Sequence, residues 1–402
     1  MDRTTKQHKQ TAFIQDSHLL AERISTHTPA LLKLLSNYET YDAAHDEITR
    51  SIEALQNVSA ELDSVKNPLS DLTISTFFPL NLPLYSLILF AVIPSIYTKN
   101  VFVRPPEAVG DILAQIYDLL EIAEHFPQIS IKVAPRHVFV DLYASESDVI
   151  IFTGKYENAL AIHKLCPYSL LVYNGSGVNP FIIFENADID LAAKKAVEMR
   201  CFNSGQDCAG PDAFFVPESM KSEFIEKLKF NLKDMVVGDT KNPETTIGPT
   251  MKQSYVDELK EWMQTNKETI LYGGEIDYEN HLVHPTIALN SVKNYNEPTF
   301  HEFFAPFFYV LSYENNQDLS KILLSPGFTE RAMYVSVFGD NPAIEKQLTF
   351  VKILKNQIVN DVERGNEEYG GYGVKANFLL YGDQRIVQPI LVGRDMHLML
   401  TD

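Results

Sequence analysis

Asn203-Ser204-Gly205-Gln206-Asp207-Cys208 sets a lone cysteine at the point where a helical segment hands over to the β-rich run Ala213-Phe214-Phe215-Val216. Thiolate chemistry needs a cysteine that is reachable and activated, and turns between elements supply both conditions. Cys208 therefore reads as an exposed nucleophile. Before it, Phe181-Ile182-Ile183-Phe184 reads as a buried strand, and Asp188 caps a helix that runs through Met199. After it come helices over Lys221–Leu232 and Gln253–Thr265, then strands near 285–289 and 334–337. The cysteine thus belongs to an α/β unit.

The first half of the chain has the same texture. Residues up to about Lys66 are amphipathic helices, with Leu31, Leu32, Leu34, Leu35 and then Ile52, Leu55, Val58, Leu62 at helical spacing. Leu72-Thr73-Ile74-Ser75-Thr76-Phe77-Phe78 alternates like a strand and stops at Pro79. Residues 80–97 are largely apolar but hold Asn81, Pro83 and Pro94 and are short for a bilayer, so a buried helix is predicted. Further strands are predicted at Val101-Phe102-Val103, Ile129-Ser130-Ile131-Lys132-Val133 and Val149-Ile150-Ile151-Phe152, with helices over 110–124 and to about Lys164. Strand and helix alternate, which implies a doubly wound, mostly parallel sheet. Ligands of such sheets bind at the carboxyl ends of the strands, here 79–81, 104–107 and 153–155. The expected organisation is 1–173 as N-terminal helices plus a nucleotide-binding domain, 174–363 as the cysteine-bearing domain, and 364–402 as a closing segment rich in Gly and Tyr.

At 402 residues the chain exceeds one ordinary core, which also argues for two domains. Its net charge of −19 excludes nucleic acid and anionic membranes as partners, since phosphate contacts need clustered cations. Cys166, Cys201 and Cys208 lack the spacing of a disulfide framework and fit a reducing compartment. The first ten residues lack a signal peptide's apolar core, so cytoplasm is expected. His281 and His284 have no carboxylate or cysteine near them in sequence, and no metal site is expected.

Several segments, taken in order, resemble the aldehyde dehydrogenase superfamily. Phe78-Pro79-Leu80-Asn81-Leu82-Pro83 is similar to its Pro-Trp-Asn-x-Pro segment, with Leu80 in place of Trp. The resemblance makes Asn81 an oxyanion donor beside the Cys208 N–H. Val103-Arg104-Pro105-Pro106-Glu107 resembles the strand end that touches the adenosine ribose, with Arg104 for Lys. Glu107 there favours NAD, while Arg104 is a candidate partner for the extra phosphate of NADP. Phe152-Thr153-Gly154-Lys155 resembles the pyrophosphate turn, with Lys155 for Ser and Ala159 for a second Gly. His301-Glu302-Phe303-Phe304-Ala305-Pro306 is similar to Glu-x-Phe-Gly-Pro, which gives Glu302 to the nicotinamide ribose and Phe304 to the ring. The implied cofactor site is Pro79, Arg104, Glu107, Thr153, Gly154, Lys155, Glu302 and Phe304. The implied fold is aldehyde-dehydrogenase-like, two doubly wound α/β domains with cofactor on the first and Cys208 on the second.

Asn174 is the departure with consequences. Asn174-Gly175-Ser176-Gly177-Val178-Asn179-Pro180 aligns with Glu-Leu-Gly-Gly-Lys-Asn-Pro, whose glutamate activates water against the thioester. An amide cannot accept that proton. Members that pass the acyl group to coenzyme A also lack this glutamate. The resemblance therefore implies NAD(P)-dependent oxidation of an aldehyde through a Cys208 thiohemiacetal and thioester, deacylated by water or by a thiol such as coenzyme A or a carrier protein. Two alternatives stay open: reduction of an acyl thioester to an aldehyde, and a degenerate nucleotide-binding member. Residues 174–177 read as a tight turn. Asp207 either raises the Cys208 thiol pKa or faces the substrate and favours a cationic or polar aldehyde. No room remains before Leu72 for the family's oligomerisation hairpin, so a monomer or an atypical dimer is expected.

Overall fold

The computed structural model describes residues 3–65, 68–295 and 300–400. The expected end of the helical segment at Lys66 lies outside them. The two predicted α/β units are present as two seven-stranded sheets. The first runs Gln384–Val387, Asn377–Tyr381, Leu170–Gly175, Val149–Gly154, Leu72–Phe77, Thr98–Arg104, Ile129–Ile131. Its last five strands pair in parallel, and the two tail strands join antiparallel at one edge. The second runs Lys352–Lys355, Tyr334–Phe338, Pro180–Ile183, Ala213–Pro217, Phe307–Tyr313, Thr286–Ser291, Ile270–Tyr272. All its pairs are parallel except the last.

Strand alternation explains why both sheets are layered. Val149 and Ile151 face the helices of the N-terminal segment, whereas Ile150 and Phe152 face Phe139, Ala159 and Ile162 on the other side. In the second sheet Phe215, Tyr309 and Val335 lie in the core that holds Trp262. Phe214, Phe308 and Tyr334 pack in the core that holds Ala192, Ala196 and Phe224. The N-terminal helices Arg3–Thr26, Thr28–Leu35, Tyr41–Gln56 and Val58–Ser64 share the core of the first sheet through Leu20, Ile24, Leu31, Leu35, Ile48 and Leu55.

Some elements differ from the sequence reading. Residues 80–97 are buried as expected but form three pieces: α-helix Pro83–Leu87, π-helix Ile88–Val92 and 3-10 helix Ile93–Tyr97. Pro94 has no N–H to continue an α-helical ladder, and the turn tightens there. The helix over 110–124 is Glu107–Leu119 followed by Ile122–His125, divided at Glu121 with φ 48°. Residues 174–175 are not a tight turn: they extend the strand Leu170–Gly175, paired with Thr153 and Gly154. The tail is mostly loop and turn, but it also supplies two strands joined at Gly382, whose φ is 55°. No helix among the described residues is long and apolar enough to cross a membrane.

Candidate active site

The cysteine loop is held from three sides. The helix Ile189–Cys201 starts at Asp188, whose Oδ1 accepts from Leu191 N at 3.0 Å. Beyond its end Asn203, Ser204 and Gly205 all adopt positive φ, 45°, 60° and 77°, which reverses the chain in three residues. Gly205 is required, because a Cβ there would stand 2.3 Å from the Ala305 carbonyl oxygen. The buried Arg200 guanidinium donates to Pro211 O at 3.1 Å, Ala305 O at 2.7 Å and Phe303 O. It thereby fastens the cysteine loop to the loop of Glu302 and Phe304. Asn179 Nδ2 donates to the carbonyl of Cys208 itself at 2.8 Å. Gln206 donates to Pro249 O at 3.3 Å and accepts from Met251 N at 2.6 Å.

The Asn81 turn meets this loop from the first sheet. Tyr38 Oη donates to Leu80 O, and Glu47 Oε2 accepts from Tyr85 N at 3.2 Å. The N-terminal helices thus brace the turn on both sides of Asn81. Leu82 takes φ 51°, and Pro83 opens the following helix. Asn81 Nδ2 donates to Gln206 O at 3.2 Å, so the amide lies against the cysteine loop with its second N–H unpaired among the described residues.

Two cavities meet at Cys208. The larger, about 390 Å³, is lined by Pro79, Asn81, Arg104, Thr153, Gly154, Lys155, Cys208, Glu302 and Phe304, all singled out from sequence, and also by Arg136, Lys252 and Tyr255. Glu107 is apart from them: it heads its helix, exposed, one residue beyond Pro106 of the lining. Phe304 stacks on Tyr255 with ring centres 4.8 Å apart. Glu302 meets Arg331 at 3.3 Å. Burial, and then the Asp212 carboxylate, push the Glu302 carboxyl up to about 8. Arg104, Arg136, Lys155 and Lys252 form no ion pair among the described residues, in a chain of net charge −19. Burial and the neighbouring Arg136 lower the Arg104 pKa; burial and Lys155 lower that of Lys252. Such a cleft fits a polyanionic ligand.

The smaller cavity, about 100 Å³, opens on the other side of Cys208. Pro79, Asn81 and Thr153 line both; Arg50, Tyr85, Asn174, Asp207, Glu363 and Tyr369 line only this one. Arg50 pairs with Glu363 at 2.9 Å, and Tyr85 Oη donates to the same carboxylate at 2.8 Å. Cys208 is partly buried rather than freely exposed, and Tyr369 Oη lies 3.0 Å from its Sγ. Burial, then the Asp207 carboxylate, push the thiol well above its ordinary pKa, while the Tyr369 contact and the cysteine's own N–H oppose this. Asp207 itself is raised by burial, and its Oδ1 accepts from Ala209 N at 2.7 Å. Cys166 and Cys201 are buried away from both cavities. Among the described residues no group of three or more His, Cys, Asp or Glu side chains is placed to hold a metal.

A cysteine held at the junction of two cavities, between two doubly wound sheets, is the arrangement against which known proteins can be compared. The model of the aldehyde dehydrogenase family matches residues 25–365. The chain belongs to that family. Human mitochondrial 10-formyltetrahydrofolate dehydrogenase is 26% identical over 250 residues, 60% of this chain. The match spans 27% of that relative's own length. The glyceraldehyde-3-phosphate dehydrogenase GapN of Methanocaldococcus jannaschii, solved with NADP, superposes with a TM-score of 0.78 at 19% identity, over 93% of this chain and 88% of that one. The betaine aldehyde dehydrogenase of Staphylococcus aureus, solved with NAD+, superposes with a TM-score of 0.77 at 20% identity, over 94% and 83% of the two chains. At these identities the superpositions show the fold.

Within this aldehyde dehydrogenase fold, several residues around Cys208 were not found by sequence reasoning. Tyr369 touches the sulfur from 161 residues away, and no local pattern announces such a contact. Arg50 and Glu363 come together across 313 residues. Asn377, which donates to Asn174 Oδ1 at 2.8 Å, lies on a strand that the sequence reading passed over. Asn179 was noticed only as part of a motif; the apolar run Phe181–Phe184 after it places it at the start of a buried strand, but its contact with Cys208 O spans 29 residues.

Proposed function

We propose that the protein is an NAD(P)-dependent aldehyde dehydrogenase whose Cys208 thioester is released to a thiol rather than to water. The observation that carries this reading is the placement of Asn174. Its oxygen accepts from Asn377, and Asn174, an amide where a water-activating carboxylate would stand, lines the cavity beside Cys208. An amide there cannot accept a proton from water.

Cys208 Sγ, deprotonated to the thiolate with its proton passed to solvent, bonds to the aldehyde carbon while the carbonyl π pair moves onto oxygen. The second N–H of Asn81 and the Cys208 N–H are the donors for that oxyanion. A bound nicotinamide dinucleotide supplies the hydride acceptor, so that oxidation leaves an acyl thioester on Cys208. An incoming thiol, as its thiolate, then bonds to the acyl carbon, and Cys208 leaves as the thiolate. Arg104, Lys155, Glu302 and Phe304 would hold the dinucleotide, with Thr153 and Gly154 beneath it. NAD was expected from Glu107. The exposed position of that carboxylate and the presence of a second guanidinium, Arg136, beside Arg104 in the cavity instead favour NADP. The same protected thioester would serve reduction of an acyl thioester to an aldehyde, the one second reading that the Asn174 placement supports.

Mass spectrometry of the Cys208 peptide, after mixing with an aldehyde panel and NAD(P), tests the reading. An acyl adduct that persists in buffer and disappears on adding coenzyme A or pantetheine supports it. An adduct that decays as fast in buffer alone, or none with any aldehyde, counts against it.

A further inference from the structure

We propose that the Tyr369 hydroxyl is a further catalytic group, which donates a hydrogen bond to the Cys208 sulfur as it becomes a thiolate. The inference rests on Cys208 being the nucleophile but not on any particular acceptor of the acyl group. The contact is 3.0 Å, short for a pair that includes sulfur. Either atom can donate while the thiol is protonated. A thiolate has no hydrogen, so in the reactive state only the tyrosine can donate.

The groups around the sulfur make this donor matter. Those acting on Cys208 are the Asp207 and Glu302 carboxylates, both of which oppose the thiolate, the Tyr369 hydroxyl, and the cysteine's own N–H. The Tyr334 ring lies behind Tyr369. No cation pairs with the sulfur in that set. Activated cysteines ordinarily sit near Lys, Arg or protonated His. Here the side-chain contribution in that sense is a neutral phenol, which stabilises the anion without adding charge to the cavity.

The phenol is held rigidly enough for the task. Tyr369 and Ile390 exchange backbone hydrogen bonds, at 2.9 and 2.8 Å. Its ring packs edge-on against Tyr334 at 5.6 Å, and Tyr334 Oη in turn accepts from Gly370 N at 2.8 Å. A phenylalanine would keep the ring and both backbone bonds and lose only the atom that reaches the sulfur. Positioning and chemistry are therefore separable.

The test follows the rate of iodoacetamide alkylation of Cys208 against pH in the full-length protein, read by mass spectrometry of its peptide. Tyr369→Phe is expected to keep the wild-type melting temperature and to move the profile to higher pH by about one unit, about tenfold slower alkylation near neutrality. Asp207→Asn is expected to move the profile the other way, as an independent check that the sulfur being read is the one in this site. An unchanged or faster profile in Tyr369→Phe, alongside a shifted one in Asp207→Asn, overturns the proposal while leaving Cys208 as nucleophile. Should Tyr369→Phe fail to fold, 3-fluorotyrosine at 369, a more acidic phenol of nearly the same shape, must speed alkylation. No change in that variant likewise overturns the proposal.

Discussion

Asn377 Nδ2 donates to Asn174 Oδ1 at 2.8 Å, and this contact fixes the orientation of the Asn174 amide in the wall of the cavity that Cys208 also lines. The assignment does not depend on a choice between amide nitrogen and oxygen. Gly371 N–H donates to Asn377 Oδ1 at 3.1 Å, and a backbone N–H can only donate. Asn377 must therefore turn its NH2 toward Asn174, whose side-chain oxygen is the acceptor of that contact.

Placing a carboxylate at this position should restore water activation. Asn174→Glu is expected to raise hydrolysis of the acylated enzyme by about 100-fold, the lower range for one general base. The decay of the Cys208 adduct in buffer measures it; a decay no faster than wild type would show that water does not reach the thioester from that side. Asn377→Ala, which orphans Asn174 Oδ1 and Gly371 N–H, should cost about 1–3 kcal/mol in denaturant unfolding.

The oxyanion assignment makes a separate prediction. Asn81→Ala should lower kcat/KM for an aldehyde by about 100- to 1000-fold while leaving dinucleotide affinity nearly unchanged. A parallel loss of dinucleotide binding would mean that the variant had disturbed the turn braced by Tyr38 and Glu47 rather than removed a donor.

Charge in the larger cavity bears on cofactor choice. Arg136→Ala is expected to weaken NADP binding about tenfold, one lost charge-assisted contact, and to leave NAD binding nearly unchanged. Calorimetry with each nucleotide separates the two cases. Equal weakening of both would place Arg136 on the pyrophosphate instead.

Glu39 and Glu47 lie buried together under the Asn81 turn. Burial, and then the partner carboxylate, hold Glu39 well above 4.5, and burial raises Glu47 to about 7. The folded pair thus binds protons that the unfolded chain releases near pH 4.5. Its contribution to stability is present below that pH and is lost as pH rises through about 7. Glu39→Gln should accordingly gain about 1 °C in Tm relative to wild type on going from pH 5 to pH 8, the equivalent of about 1 kcal/mol in a chain of this length. A difference that stays constant with pH would contradict the shared-proton account.

The framework of strands that carry the site was legible because each is a short β-branched or aromatic run closed by Pro or Gly, as at Leu72–Phe77 and Val149–Gly154. Leu170–Gly175 was not legible because Gly175 at its end and Gly177 beyond it give a local turn signal, which extended pairing overrides. The tail strands Asn377–Tyr381 and Gln384–Val387 were hidden by the Gly- and Tyr-rich stretch before them, although Gly382-Asp383 between them is a hairpin signal. Motif residues such as Asn81, Thr153 and Glu302 could be found because they sit at strand ends or in short loops. Tyr369, Asn377, Arg50 and Glu363 could not, since each acts through a partner far away in sequence.

The central claim is that acylation of Cys208 proceeds while hydrolysis does not. Rapid mixing with an aldehyde and NAD(P), followed by nicotinamide absorbance with and without coenzyme A, tests it most directly. The account predicts a burst equal to the enzyme concentration, absent in Cys208→Ala, that becomes steady turnover only when the thiol is added. Steady turnover at the same rate with water alone would contradict it.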